Sequence, residues 1–506
     1  MPYHTGLSSN FNDTKMRSEK CSPQSGMCSL CDANCLGTCE LGLAAVRGKI
    51  SVYPTNTGEN QVASEKNYPF DYSHFNINGR VFGASGLEQD NAFLTIFDVK
   101  TETTIGKHHP IKMKMPIILP ALIKLNWQDY FSGAAMAGVS CVIGEDSHTK
   151  DPNLVIKDNK IVEFPLLNKI FNSFNDYYHG YGQIILQVNT ENDKQELIEY
   201  AIKHCNCEAV EFKFGQSAKG TQPIVKMANY EAALARKKIG GYIYPDPLNE
   251  KVIEAMKANE EPNFYFCGEF PMWDEAFFEK RISDLRAKGI KNIYFKMAGY
   301  DIKDIERVLR IAAVNEIDLV TFDGAGGGSG YSPCKMMNEW GLPSIDLQKV
   351  VCQVSRKLEA EGLNVVDIAI TGGFSSEDQV FKALALGAPY IKAVGLCRAS
   401  MAAANSAKNI GELIKQNKVP QYLKQYGGSV EEIFADLPDL RLLYGKKADK
   451  FPTGAIGVYS YLNKINFGVQ HFAALNRKFN INLVDNSDVI SLTQEAKEYM
   501  EEINKY

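Results

Sequence analysis

Eight short apolar runs recur from about residue 111 onward, with helix-like stretches between them, and this rhythm narrows the fold more than any other feature. The runs are Met115–Leu119, Ser140–Ile143, Ile184–Val188, Ala209–Phe212, Ile293–Lys296, Leu319–Phe322, Val366–Ile370 and Ile391–Val394. Such alternation marks βα units and a parallel sheet. Asp301 precedes an amphipathic stretch and reads as a helix N-cap, as does Ser375 before acidic first-turn residues. Ser344 to Leu358 carries apolar residues at helical spacing. The last two runs end on glycine: Ile370-Thr371-Gly372-Gly373 and Val394-Gly395-Leu396-Cys397-Arg398. In a (β/α)8 TIM barrel, the loops after strands 7 and 8 form a phosphate cup from backbone N–H groups and a helix N-terminus. Glycine admits close approach of backbone to phosphate, and Arg398 adds a cation. A doubly wound sheet is the alternative, but its glycine fingerprint would follow the first strand.

These features predict an α/β chain: a (β/α)8 barrel with an N-terminal cysteine-rich segment and a helical C-terminal extension. The expected divisions are 1–50 for the cysteine-rich segment, 51–110 for a connector, 111–410 for the barrel and 411–506 for the extension. About 80 residues separate the fourth and fifth runs, so an insertion is expected there.

The 506 residues are 45% hydrophobic and 23% charged, as in ordinary globular proteins. A net charge of −5 offers no nucleic-acid surface. The longest apolar runs fall short of a bilayer span. The polar N-terminus lacks the apolar core of a signal peptide. A cytoplasmic location is expected, with no membrane or nucleic-acid partner. Five of the twelve cysteines fall in residues 21–39. In a reducing compartment that clustering points to a metal or iron–sulfur centre rather than to disulfides.

Barrel enzymes carry their reactive groups at the C-terminal ends of strands. Reading those ends gives Glu145 and Asp146 after the second run. In and after the fourth run come Glu211, Lys213, Gln216, Ser217 and Lys219. Lys296 ends the fifth, and Asp323 and Gly324 follow the sixth. Singly, a lysine there is ordinarily a snorkelling surface residue and a carboxylate a helix cap. Together they aim lysines and carboxylates at one mouth that also carries the phosphate cup.

These residues resemble the FMN-binding synthase domain of glutamate synthase, in particular short archaeal-type and glutamate synthase-related proteins. The run Lys213 to Gly220 is similar to the family's K-x-x-Q-G-A-K-x-G loop, and Phe322 to Pro333 to its H-D-G-G-T-G-A-S-P segment. Glu145 stands in its T-G-E-G, Lys296 in its V-K-L strand, and Gly372-Gly373 in its D-G-G. The resemblance implies FMN at the barrel mouth, with Gln216 and Lys296 against the isoalloxazine and with Asp323 and Gly324 in the cofactor site. It implies phosphate near Gly372, Gly373, Gly395 and Arg398. Glu145, Lys213, Lys219 and Lys296 are the implied catalytic group. The implied reaction moves hydride between FMN and a 2-imino or 2-oxo acid, as in L-glutamate formation from 2-oxoglutarate and ammonia.

Three departures bear on that reading. The chain has too few residues before the barrel for the glutaminase of the large enzymes. Only Cys397 follows the last run, where those enzymes carry three cysteines for a [3Fe-4S] cluster. Ser217, Phe322 and Asp146 replace a Gly, a His and a Gly at the pocket. At the N-terminus, Cys28, Cys31, Cys35 and Cys39, with Cys21 as a fifth candidate, can supply four thiolates for a [4Fe-4S] cluster. Zinc bound by four cysteines is the alternative, and the spacing decides neither. Partners expected are a small amino or oxo acid and an electron donor such as ferredoxin or a reductase subunit; a homo-oligomer is compatible with this. Competing functions are an FMN barrel oxidase or isomerase of another acid, and a non-catalytic electron-transfer subunit. A hydroxyacid oxidase needs a late histidine base, and no histidine lies between His204 and His471.

Overall fold

The computed structural model describes residues 68–504 apart from 88–92, 124–125, 146, 216–223, 326–335 and 337–338. The cysteine-rich segment therefore lies outside the described residues.

Eight parallel strands close a barrel in chain order. They are β1 (Ile117–Leu122), β2 (Ser140–Ile143), β3 (Ile184–Val188), β4 (Ala209–Lys213), β5 (Asn292–Ala298), β6 (Leu319–Asp323), β7 (Asp367–Thr371) and β8 (Ile391–Gly395). β8 pairs back onto β1 through Val394 with Ile117 and Gly395 with Ile118. Each expected run is a barrel strand, shifted by a few residues at most. The largest shift is at β1, which starts after Pro116 and runs on to Leu122 with irregular register beyond Leu119. Proline donates no ladder hydrogen bond, which fits an irregular stretch at Pro120.

The barrel helices are α1 (Trp127–Ala137), α2 (Pro165–Asn175), α3 (Leu197–Cys205), α4 (Glu275–Ala287), α5 (Ile302–Val314), α6 (Ser344–Ala360), α7 (Glu377–Gly387) and α8 (Arg398–Lys415). Asp301 caps α5 by accepting from the Lys303 N–H. The cap of α7 is Ser376, one residue later than the sequence suggests, in a capping box with Gln379. The long loop after β4 holds a three-stranded antiparallel sheet and the helices Tyr230–Lys238 and Glu250–Lys257. A hairpin that the sequence reading did not foresee, Val155–Lys157 with Lys160–Glu163, follows β2.

The N-terminal end of the barrel is closed by a hairpin, Thr103–Ile105 with Ile111–Met113. Ile105 and Met113 pack beneath Ile118, Val142, Ile185, Ala209, Tyr294, Leu319, Ala369 and Ala393, one side chain from each barrel strand. Buried carboxylates fasten it: Asp367 accepts from the Gly106 N–H at 2.9 Å and Asp318 from the His109 N–H at 3.2 Å. This end is therefore filled, and any cavity must open at the other.

Beyond α8 the chain forms a long helix, α9 (Thr453–Leu475), which crosses α1 and α8 at close range. Glycines permit this approach: a Cβ on Gly133 would lie 2.4 Å from the Val458 Cβ, and one on Gly457 2.2 Å from the Ala407 Cβ. The last helix, α10 (Gln494–Ile503), follows a short strand, Val489–Ser491, that pairs with Phe75–Ile77. The extension is thus helical with one short strand. No described helix is long and apolar enough to cross a membrane.

On the outer ring, Arg281 of α4 binds Asp193, Glu199 and Asp284, and Lys288 shares the last two. Burial alone would raise the Glu199 carboxyl, but hydrogen bonds from Arg281 and Lys288 outweigh it and hold the pKa at about 2. A depressed carboxyl stabilises the fold above its unfolded pKa and loses that contribution as pH falls through about 2. Arg281→Met should cost about 2 kcal/mol at neutral pH, less than a fully buried pair because these groups reach solvent. The cost should shrink toward pH 2, which urea unfolding at the two pH values would measure.

Candidate active site

Two residues along each strand from the apolar floor, the inward positions change character. They are Pro120, Gly144, Gln187, Glu211, Lys296, Thr321, Thr371 and Gly395. Pro120, Gly144 and Gly395 keep the β1, β2 and β8 side of the layer free of long side chains, and the polar side chains gather on β3 to β7. Lys213 and Asp323 stand two residues further along β4 and β6. Gln187, Glu211, Lys213, Lys296, Thr321, Asp323 and Thr371 are all buried.

Registers bring these groups together. Gln187 is the cross-strand partner of Glu211, Lys213 that of Lys296, and Lys296 that of Thr321. The Lys213 ammonium pairs with the Glu145 carboxylate, both nearly inaccessible. Gln187 donates to Glu211 at 2.5 Å. Burial raises the Glu211 carboxyl; Lys296, Gln187 and Lys213 oppose that rise, and Glu145 adds to it. Gln187 Oε1 and Thr321 Oγ1 are buried with no hydrogen-bond partner among the described residues.

The glycine loops lie beside this cluster. Gly372 and Gly373 have φ of 120° and 93°, a region that side chains rarely adopt. A Cβ on Gly372 would lie 2.5 Å from the Gly324 carbonyl oxygen. Gly324 in turn donates its N–H to the Thr371 carbonyl at 2.8 Å, and Ser344 Oγ donates to the Gly372 carbonyl at 2.6 Å. Gly395 is wedged between Thr371 and Pro120, where a Cβ would meet carbons at 2.6 and 2.8 Å. α8 starts at Arg398 directly after this loop, and its N-cap residue Cys397 provides no side-chain cap. Among the described residues, the Arg398 guanidinium makes no hydrogen bond or ion pair. Burial pushes the Cys397 thiol up; Lys296 and Arg398 pull the other way.

Of the residues singled out in the sequence, Glu145, Lys213, Lys296, Asp323, Gly324, Gly372, Gly373, Gly395 and Arg398 thus stand at one end of the barrel. Gln216, Lys219, Ser217 and Asp146 lie outside the described residues, as do Cys28, Cys31, Cys35 and Cys39. The sequence reading did not count Gln187, Thr321 or Glu211 among the site residues. Gln187 had a visible signal: it is the one polar residue in the run Ile-Ile-Leu-Gln-Val.

Residues 238–408 match a family described as the conserved region in glutamate synthase. This stretch is similar to glutamate synthase. The matched region runs from the insertion after β4 through β5 to β8 and into α8. It therefore includes Lys296, Asp323, the glycine loops and Arg398, but neither Glu145 nor Lys213. Relatives are the archaeal glutamate synthase [NADPH] of Methanocaldococcus jannaschii, 27% identical over 141 residues, and the archaeal-type enzyme of Dehalococcoides mccartyi, 36% identical over 72 residues. The matches cover 24% and 14% of this chain, and only 27% and 14% of those relatives' own lengths. Among solved structures, a lactate oxidase from Pediococcus acidilactici aligns at 13% identity and a TM-score of 0.45, over 83% of this chain and 84% of that one.

Proposed function

We propose that this protein is an FMN-dependent oxidoreductase that transfers hydride between the flavin and a 2-imino or 2-oxo acid or an amino acid. The observation that carries the reading is one barrel mouth with two halves. One half is a set of glycine backbones and an uncapped helix start beside a free Arg398. The other is a buried cluster of two lysines and two carboxylates. The first half suits a phosphate dianion, which N–H groups, the helix dipole and a guanidinium all favour. The second suits an acidic substrate and a ring that gathers negative charge.

FMN would supply two-electron chemistry that no side chain here can perform. Gly372, Gly373, Gly395 and Arg398 would hold its phosphate, with Asp323, Gly324 and Gln216 lining the rest of the cofactor site. Lys296 would stabilise negative charge on the flavin pyrimidine. Lys213, fixed by Glu145, would present a cation to a substrate carboxylate, and Lys219 would add a second. The walls of β3 to β7 exclude water from this charge cluster. Glutamate formation from 2-oxoglutarate and ammonia is the reaction that the relatives' names suggest.

The N-terminal cysteines complete the reading. Cys28, Cys31, Cys35 and Cys39 would hold a [4Fe-4S] cluster, zinc being the alternative, and a small redox protein such as ferredoxin or a reductase subunit would deliver electrons. Cys31→Ser or Cys35→Ser should remove iron and sulfide while FMN stays bound. Stoichiometric zinc without iron in anaerobically prepared protein would overturn the cluster.

The deciding experiment is the anaerobic visible spectrum, followed by an assay of the chemically reduced protein. Flavin bands, and reoxidation with glutamate formation on adding 2-oxoglutarate and ammonia, are expected. Reoxidation by a different imino or amino acid would keep the flavin and replace the substrate. Absence of flavin would end the reading.

A further inference from the structure

We infer that Glu211, held by Gln187, is a positioning residue whose buried carboxylate offsets the Lys296 ammonium and so sets how readily a bound flavin accepts electrons. The inference rests on the flavin reading above.

Glu211 lies on the floor of the polar layer, two residues before Lys213 on the same strand and opposite Tyr294, which is two residues before Lys296. It is 1% exposed. One carboxyl oxygen takes a hydrogen bond from the Gln187 amide at 2.5 Å, which fixes its direction. Of the charges acting on it, Lys296 attracts it most, then Lys213, while Glu145 repels it. Lys213 is already bound to Glu145. Lys296 is therefore the cation whose field Glu211 mainly reduces. In a dry interior such opposition is far stronger than in water.

Gln187 supports the assignment. It lies in a fully buried strand, and its Oε1 has no partner among the described residues. A buried amide with an unmet acceptor is costly, and an apolar residue would avoid that cost. The bond to Glu211 is the interaction that the amide provides in return. The arrangement thus has the form of a held charge rather than of a filled core.

The test is the midpoint potential of the FMN-loaded protein, titrated against an indicator dye. Glu211→Gln keeps the shape and can still receive the Gln187 amide, but removes the charge. Its equilibrium constant for two-electron reduction should rise about tenfold, which is about 30 mV more positive. Lys296→Met should move the potential the opposite way. Glu211→Asp, which restores the charge, should return most of the parental value. Gln187→Leu, which removes the donor and makes the carboxylate easier to neutralise, should give a smaller positive shift, and it decides the matter if Glu211→Gln does not fold. A flavin-loaded Glu211→Gln protein with parental or more negative potential would overturn the inference, even if its stability or FMN content fell. Parent protein that binds no FMN would instead overturn the flavin reading itself, so the two failures are told apart by the parent spectrum.

Discussion

Lys213→Met should lower the unfolding free energy by about 3–5 kcal/mol, the scale for breaking a buried ion pair from one side. The reason is what remains behind. Glu145 is 7% exposed at its side chain and Lys213 2%, so neither can turn to water when its partner is lost. Deleting the cation leaves the carboxylate in low dielectric without the ammonium that offsets it. Replacing both, as Lys213→Met with Glu145→Leu, should recover most of the loss, because an apolar pair of similar volume avoids desolvation altogether. Urea unfolding of parent, single and double variants measures this directly. A single variant as stable as the parent would mean that the pair contributes little to the fold. Under the proposed function the single variant should impair the substrate step, while the double variant, which removes no net charge, should spare the flavin potential, since Lys296 stays in place.

The barrel was legible because of how it is buried. Strands covered on both faces read as near-continuous apolar runs, and Ile184 to Val188 or Leu319 to Phe322, each with one polar residue, show that even in isolation. Their C-terminal ends were legible for a related reason: a lysine or carboxylate at the end of such a run has nowhere apolar to go. The interior layer was harder to read. Glu211 and Gln187 sit inside strands rather than at their ends, and their meaning depends on which strands are neighbours, which only barrel closure fixes. The hairpin after β2 was missed although it carries a signal. Asp158 and Asn159 have φ of 49° and 57°, the geometry of a two-residue hairpin turn in which Asn and Asp are tolerated. The insertion after β4 was visible only as excess length, because its strands are three residues each, too short for a periodic pattern.

Arg398→Ala should weaken FMN binding by about ten- to a hundredfold or somewhat more, corresponding to about 1.5–3 kcal/mol for a hydrogen bond to a charged group. Binding should weaken rather than vanish. The Gly372 and Gly373 backbones and the first turn of α8 are untouched by the substitution, and they supply donors and the positive end of a helix dipole. Arg398→Lys should fall between parent and Ala, because a point charge replaces one element of a planar fork. Raising the salt concentration should narrow the gap, since Arg398 is only part-buried and its charge is open to screening. The decisive comparison is with riboflavin, which has the ring and ribityl chain but no phosphate. Fluorescence titration should show Arg398→Ala binding riboflavin as the parent does, while losing affinity for FMN. Equal losses for the two ligands would mean that Arg398 acts on the shape of the loop after β8 and not on a phosphate, and the cup would then have to be rebuilt around the glycines alone.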